Sequence, residues 1–358
     1  TSGFMAMGAP DWLHGILILG VYRVLAWVVS VMLPPMAIFF PLFTLLEDSG
    51  YLPRIAYNLD KPFKSCHACG KQALTMCMGF GCNAAGIVGC RIIDSPRERL
   101  IAMITNNFVP CNGRFPTLIA IITMFFIGAS AGFGTSLLSA VLLTAVILLG
   151  ILMTLLVSRL LSKTILKGVP SSFTLELPPY RRPQIGKVIV RSIFDRTLFV
   201  LGRAVAVAAP AGLLIWIMAN VMVGDMSLLA HCSAFLDPFA RLLGMDGVIL
   251  MAFILGFPAN EVVFPIIIMA YMAGGTLTDM GNLSEMHTLL TANGWTPVTA
   301  VCTMLFSLMH WPCSTTCMTI HKETASLKWT AASFLIPTAA GMLLCFLVSS
   351  VAKLCGVG

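Results

Sequence analysis

Two glycine-rich words interrupt oily stretches of this chain at a fixed offset. The first, Gly79-Phe80-Gly81-Cys82-Asn83, lies inside the apolar run 73–90. The second, Gly256-Phe257-Pro258-Ala259-Asn260-Glu261, lies 177 positions on, inside 248–273. The offset also holds without gaps for Leu59 and Leu236, Asp60 and Asp237, and Gly70 and Gly247. Each word has a downstream echo: Pro110-Cys111-Asn112 after the first, Pro312-Cys313-Ser314 after the second. A helix broken in hydrocarbon leaves backbone N–H and C=O groups unpaired, at several kcal/mol each, so it persists only where it lines a cavity or binds something. One such word reads as a packing kink. Two in register, each followed by a Pro-Cys break, point to a duplicated membrane unit whose interruptions build one central site.

The composition places those words in a bilayer. The chain of 358 residues is 58% hydrophobic and 10% charged, with mean hydropathy +0.92. A soluble domain carries about 25% charged residues, so the fold class is an all-α polytopic membrane protein. No basic start, short apolar core and cleavage site occurs at the beginning, and the chain starts on Thr1, which is expected of a trimmed piece. The net charge of +7 is concentrated in 159–196, where Arg159, Lys163, Lys167, Arg181, Arg182, Lys187, Arg191 and Arg196 face only Glu176 and Asp195. Lys and Arg at membrane ends favour the cytoplasm, so this interval is placed inside. Nucleic-acid binding is set aside, because the basic block abuts two long apolar spans.

Taken in order, the pattern divides the chain into an interfacial segment 1–23, a first repeat 24–158, a basic cytoplasmic linker 159–196 and a second repeat 197–358. Spans are expected at 24–46, 136–158, 198–223 and 329–351, the first kinked by Pro34, Pro35 and Pro41. Interrupted ones are expected at 73–90, 100–127, 248–273 and 297–320, for roughly six to eight membrane segments altogether. Residues 51–72 are amphipathic and basic, hence cytoplasmic, with 226–245 as their counterpart. Residues 274–295 are a polar, glycine-rich insertion: Asn83 to Pro110 is 27 positions, Asn260 to Pro312 is 52.

The chemistry concentrates at the breaks. Cys82 and Cys111 sit in the first half, Cys313 and Cys317 at the matching place in the second, preceded by His310. Thiolate, imidazole, amide and carboxylate groups suit a borderline transition metal such as Fe(II) rather than Mg(II) or Ca(II). The metal set expected from this pattern is Cys82, Asn83, Cys111, Asn260, Glu261 and Cys313, with His310, Cys317 and Met78 as secondary candidates. A single buried Cys is more often inert core, and Met more often fills gaps. Glu261 carries most weight, since a carboxylate in an apolar segment costs at least about 2.5 kcal/mol. Cys66-His67-Ala68-Cys69 reads as a solvated turn rather than a zinc site, which wants four ligands. Most of the 12 cysteines read as reduced small residues. There is no phosphate loop, no H-E-x-x-H and no serine elbow, so no motif supports an enzyme.

Several of these words, read with Leu46-Glu47-Asp48-Ser49-Gly50-Tyr51, Arg91, Glu98-Arg99, Pro110-Cys111-Asn112-Gly113-Arg114-Phe115-Pro116 and Trp311-Pro312-Cys313, resemble the membrane part of the ferrous iron transport protein B (FeoB) family over about residues 11–350. The resemblance implies two gate repeats and a bacterial inner-membrane importer of Fe(II), with the gate cysteines at Cys82 and Cys111. It also implies a cytoplasmic GTPase domain or subunit, expected to lie outside this chain and to carry any GTP and Mg chemistry. Small accessory proteins and self-association are further partners it suggests. A nucleoside-type carrier and a membrane sensor or scaffold that transports nothing are the alternatives.

Overall fold

A helix of nine residues extends about 13 Å at 1.5 Å per residue, less than half of the roughly 30 Å hydrocarbon core. Several helices here have that length, and their placement decides the architecture. The computed structural model describes residues 10–66, 68–127, 133–168, 198–273 and 283–356, with isolated positions between 186 and 197. Among them, four helices are long and apolar enough to cross a membrane. They are α1 (Arg23–Asp48), continued N-terminally by a π-helical stretch Gly15–Tyr22; α7 (Phe133–Lys163); α8 (Leu198–Asn220); and α15 (Leu327–Leu354). The chain is a multi-pass membrane protein, almost wholly helical apart from a two-stranded ribbon, β1 (Met222–Val223) with β2 (Met226–Ser227).

The shorter helices fall into two series. The first half has α2 (Tyr51–Ser65), α3 (Lys71–Gly81), α4 (Asn83–Gly89), α5 (Pro96–Thr105) and α6 (Phe115–Ile122). The second has α9 (Leu228–Leu242), α10 (Gly247–Leu255), α11 (Val263–Tyr271), α12 (Leu283–Ala292), α13 (Pro297–Met309) and α14 (Ser314–Thr324). Their starts follow from the local sequence. Ser95 and Thr296 cap α5 and α13, each followed by a proline at the first helical position, and Asp246 caps α10 by accepting from the Ile249 N–H at 2.7 Å.

Long-range bonds show which ends share a face. Lys71, at the start of α3, pairs with Asp94 beyond α4 at 2.6 Å. Arg91 makes a two-pronged pair with Glu323 at the end of α14, at 2.8 and 2.6 Å. Arg97 reaches Ser162 and the Leu166 carbonyl past the middle of α7's last turns. These ends make one basic face. At the other, Tyr271 ends α11 and donates to Asp246, which starts α10, while Trp295 before α13 donates to Tyr271 at 2.8 Å. Lys353, near the end of α15, donates to the Arg241 carbonyl at 3.4 Å. So α3–α4 and α10–α11 are hairpins that dip in from opposite faces and turn back. The pairs α5–α6 and α13–α14 cross in two halves.

The two hairpins are seated by the same local geometry, 177 positions apart. The Gly70 N–H donates to Asp60 at 2.9 Å, and the Gly247 N–H to Asp237 at 3.0 Å. Asp60 also pairs with Lys64 and Asp237 with Arg241, both at 2.6 Å. A Cβ on Gly70 would collide with the Ala56 carbonyl, and one on Gly247 with the Ser233 carbonyl. At the interruptions, Cys82 (φ −155°, ψ 125°) and Ala259 (φ −152°, ψ 118°) are the same extended residue.

Some expectations differ. Residues 11–22 are not a separate interfacial segment; they join α1, and Gly15 and Gly20 are packed against Trp216 of α8. Helix α1 runs unbroken through Pro34, Pro35 and Pro41. The polar insertion contains a helix, α12, whose Leu290 is buried. Residues 1–9, 274–282 and most of the linker 159–196 lie outside the described residues.

Because the obstacle at Gly247 is backbone, which cannot rotate away, Gly247→Ala is expected to cost about 1–3 kcal/mol and lower the melting temperature in detergent. Gly134→Ala, with nothing within 4 Å of the added carbon, leaves the melt unchanged. Equal melts for the two variants would contradict the close approach.

Candidate functional site

Four interruptions meet in the interior: the tips of the two hairpins and the breaks in the two crossings. Each exposes carbonyls that helix geometry would have used. Arg114, which is 1% exposed, collects them. Its Nη1 donates to the carbonyls of Asn107 and Leu308, both at 2.7 Å. Its Nη2 donates to Asn107 Oδ1 at 3.2 Å and to the carbonyls of His310 and Trp311 at 3.4 Å. Among the described residues no carboxylate lies within ion-pair distance of it. The guanidinium, with five donors in a fixed fork, thereby ties the break of one crossing to the break of the other.

Asparagines extend this lattice. Asn107 donates to the His310 carbonyl at 2.7 Å and Asn106 to the Asn83 carbonyl at 3.3 Å. Gly79 and Gly86 let the first hairpin close on Asn106, where a Cβ would strike its amide. In the second half, the Ser314 N–H donates to the Phe257 carbonyl at 2.9 Å and its hydroxyl to Pro258 at 3.3 Å, joining that hairpin tip to α14.

Within this frame Cys82, Cys111 and Cys313 lie close enough to interact electrostatically, and Glu261 lies in the same range of Cys111 and Cys313. Cys82 and Cys111 are buried, as is Glu261. Glu261 packs over Gly113, where a Cβ would overlap its carboxylate. Among the described residues, no three His, Cys, Asp or Glu side chains stand at metal-holding spacing.

The remaining candidates are engaged elsewhere. The Asn83 amide faces Asn107 at 3.5 Å, or, turned over, the carbonyls of Gly79 at 3.2 Å and Val109 at 3.3 Å. His310 Nδ1 donates to the Ser307 carbonyl at 2.9 Å, and its Nε2 faces the Asn260 amide at 3.3 Å. It is packed among Phe253, Phe306 and Trp311. Cys317 bonds the Pro312 carbonyl at 3.6 Å and adjoins Cys313. Met78 is folded over Gly89. Each of these five residues has a bonding or packing partner of its own in this frame. The motifs mark Asn106, Asn107, Gly113 and Arg114 as interruptions of the run 100–127 but do not count them among the ligands. A lone arginine in an apolar run was the available signal, since such a charge needs partners.

A family model described as "Gate: Nucleoside recognition" matches residues 29–129 and 201–327, and one described as "Ferrous iron transport protein B C terminus" matches 143–195. The chain belongs to the Gate family, in its FeoB branch. A Staphylococcus aureus protein named Fe(2+) transporter FeoB is 31% identical over 91% of this chain and 47% of its own length. Proteins of the same name from Methanocaldococcus jannaschii and Campylobacter jejuni are 29% and 25% identical, over 84% and 91% of this chain and 44% and 54% of theirs. The FeoB-type chain thus spans about half the length of the curated relatives it matches. No solved structure matches it.

Arg114→Gln in this FeoB-type chain is expected to leave buried carbonyls unsatisfied at about 1–3 kcal/mol each. The measurement is the yield of monodisperse protein in detergent and its melting temperature. Arg114→Lys, a point donor without the fork, should recover only part. A melt unchanged in both would remove Arg114 from the frame.

Proposed function

We propose that this chain carries ferrous iron across a membrane through the centre where the four breaks meet. The observation that supports it most is that Cys82 at one hairpin tip lies within electrostatic range of Cys111 and Cys313 at the breaks of the crossings, and those two within range of Glu261 at the other tip. Three sulfurs and one carboxylate are a donor set for a borderline divalent ion, and the printed name of the relatives names Fe(2+). The groups stand near one another without being at ligand spacing, so arrival of the ion draws them in. Dehydrating an ion is costly, and thiolate and carboxylate ligands in a low-dielectric centre replace the lost water.

The carbonyls do not perform this role. Freed carbonyls at helix breaks attract cations, but Arg114 already takes those of Asn107, Leu308, His310 and Trp311. Side chains are left to receive the cargo, which favours a soft ion over a hard one. The hairpins are the natural moving parts, each short, each closing one side. Energy from GTP hydrolysis, implied by the family resemblance, would act from the basic face, through a domain or subunit there.

The test is Fe(II) flux into proteoliposomes under reducing conditions. Cys82→Ser, Cys111→Ser, Cys313→Ser and Glu261→Gln are each expected to reduce flux at least tenfold, with normal melting curves. Asn83→Ser and His310→Gln should act through stability instead. Iron flux that persists in all four site variants, or nucleoside uptake without iron flux in the parent protein, would overturn the reading.

A further inference from the structure

The face opposite the basic one holds a cavity of about 700 Å³ between the end of α8, the β1–β2 ribbon, α9, and the two ends of the α10–α11 hairpin. Asp225, Asp237, Asp246 and Ser233 line it, together with Tyr271, and among the described residues Arg241 is the one basic side chain in its lining. Arg241 is already paired with Asp237 at 2.6 Å. The two inner carboxylates are held in place. Asp237 accepts from the Gly247 N–H at 3.0 Å, and Asp246 accepts from the Ile249 N–H at 2.7 Å and from the Tyr271 hydroxyl. They are close enough to act on each other electrostatically.

A second observation is independent of these acids. Ser233 is 4% exposed and its hydroxyl has no hydrogen-bond partner. Serine in a helix ordinarily bonds back to the preceding turn. An orphan buried hydroxyl at a cavity wall marks a place where something else supplies the partner. The matching positions of the first half, 177 residues earlier, are Ala56 for Ser233 and Cys69 for Asp246. The hydroxyl and the carboxylate at these two positions therefore belong to this mouth alone, while Asp225 is matched by Asp48 and the Asp-Gly brace is common to both.

We propose that this cavity is a loading site for a hydrated divalent cation. The proposal rests on the transport reading above. Asp237 and Asp246 supply charge, and Ser233 bonds a water of the ion's hydration shell. Because, among the described residues, no three ligating side chains converge here, the ion keeps most of its water, as a site filled and emptied rapidly requires. Helix α10 starts at the cavity and ends at the hairpin tip that carries Glu261, so the route from cavity to centre follows one short helix. Asp225 on the ribbon turn adds an exposed charge at the rim, where it raises the local cation concentration.

The probe is Mn(II) alone, followed by loss of the free-ion electron paramagnetic resonance signal on titration into the detergent-solubilised 358-residue chain. Asparagine caps helices as well as aspartate, so Asp237→Asn with Asp246→Asn removes charge while keeping the braces. This double variant is expected to weaken Mn(II) binding at least fivefold. Ser233→Ala is expected to weaken it two- to threefold. Asp94→Asn, an exposed carboxylate on the basic face, should leave it unchanged. In iron flux assays the double variant raises KM with little change in maximal rate. Binding that survives the double Asn variant with a normal melt, or that falls as far in Asp94→Asn, overturns the proposal. Binding as expected in a protein with no iron flux would retain the cavity and discard the transport reading.

Discussion

One guanidinium holds the interior of this protein together. A bilayer provides no water to satisfy a broken helix, so each interruption must find donors inside the protein. Arg114 supplies them to backbone on both crossings, and the asparagines at 106 and 107 finish the work locally. A buried charge is normally costly unless paired. Here the partners are carbonyl dipoles rather than a carboxylate, because broken helices offer several of them converging on one point. Among the described residues no basic side chain pairs with Glu261, which packs over Gly113 instead.

Around that lattice the fold opposes two short hairpins. Each is seated by an aspartate that receives the N–H of a glycine pressed onto a neighbouring carbonyl. Each tip carries one extended residue, Cys82 or Ala259. The surrounding long helices α1, α7, α8 and α15 present apolar side chains outward, such as Leu148, Leu152, Leu156 and Leu343, as lipid contact demands. Where the tips meet, Asn83, Asn106, Asn107, Arg114, Asn260, Glu261 and His310 are all buried.

Much of this was readable from residues alone. The fixed offset between the Gly-Phe words located both tips, and the charge deficit gave the class. The thiols at 82, 111 and 313 lie within electrostatic range of one another, and Glu261 of the latter two, but among the described residues no three such donors stand at metal-holding spacing. Other features were not legible, and the reasons are physical. Whether a broken apolar run turns back or continues depends on contacts such as Lys71 with Asp94 or Tyr271 with Asp246, which hydropathy does not encode. Asn83, Asn260 and His310 carry ligand-type atoms, but breaks consume such atoms for backbone and mutual bonding before any cargo arrives. The π-helical lead into α1 follows from glycines packing on Trp216 across the fold, a contact distant in sequence.

The paired Asp-Gly braces carry a further implication. Geometrically they are one brace fitted twice, yet the residue beside each differs: a thiol at position 69, a carboxylate at position 246. Seating the helix start and choosing the neighbouring chemistry are thus handled by separate atoms. Either mouth can exchange that neighbour while the aspartate and glycine that seat the helix stay as they are.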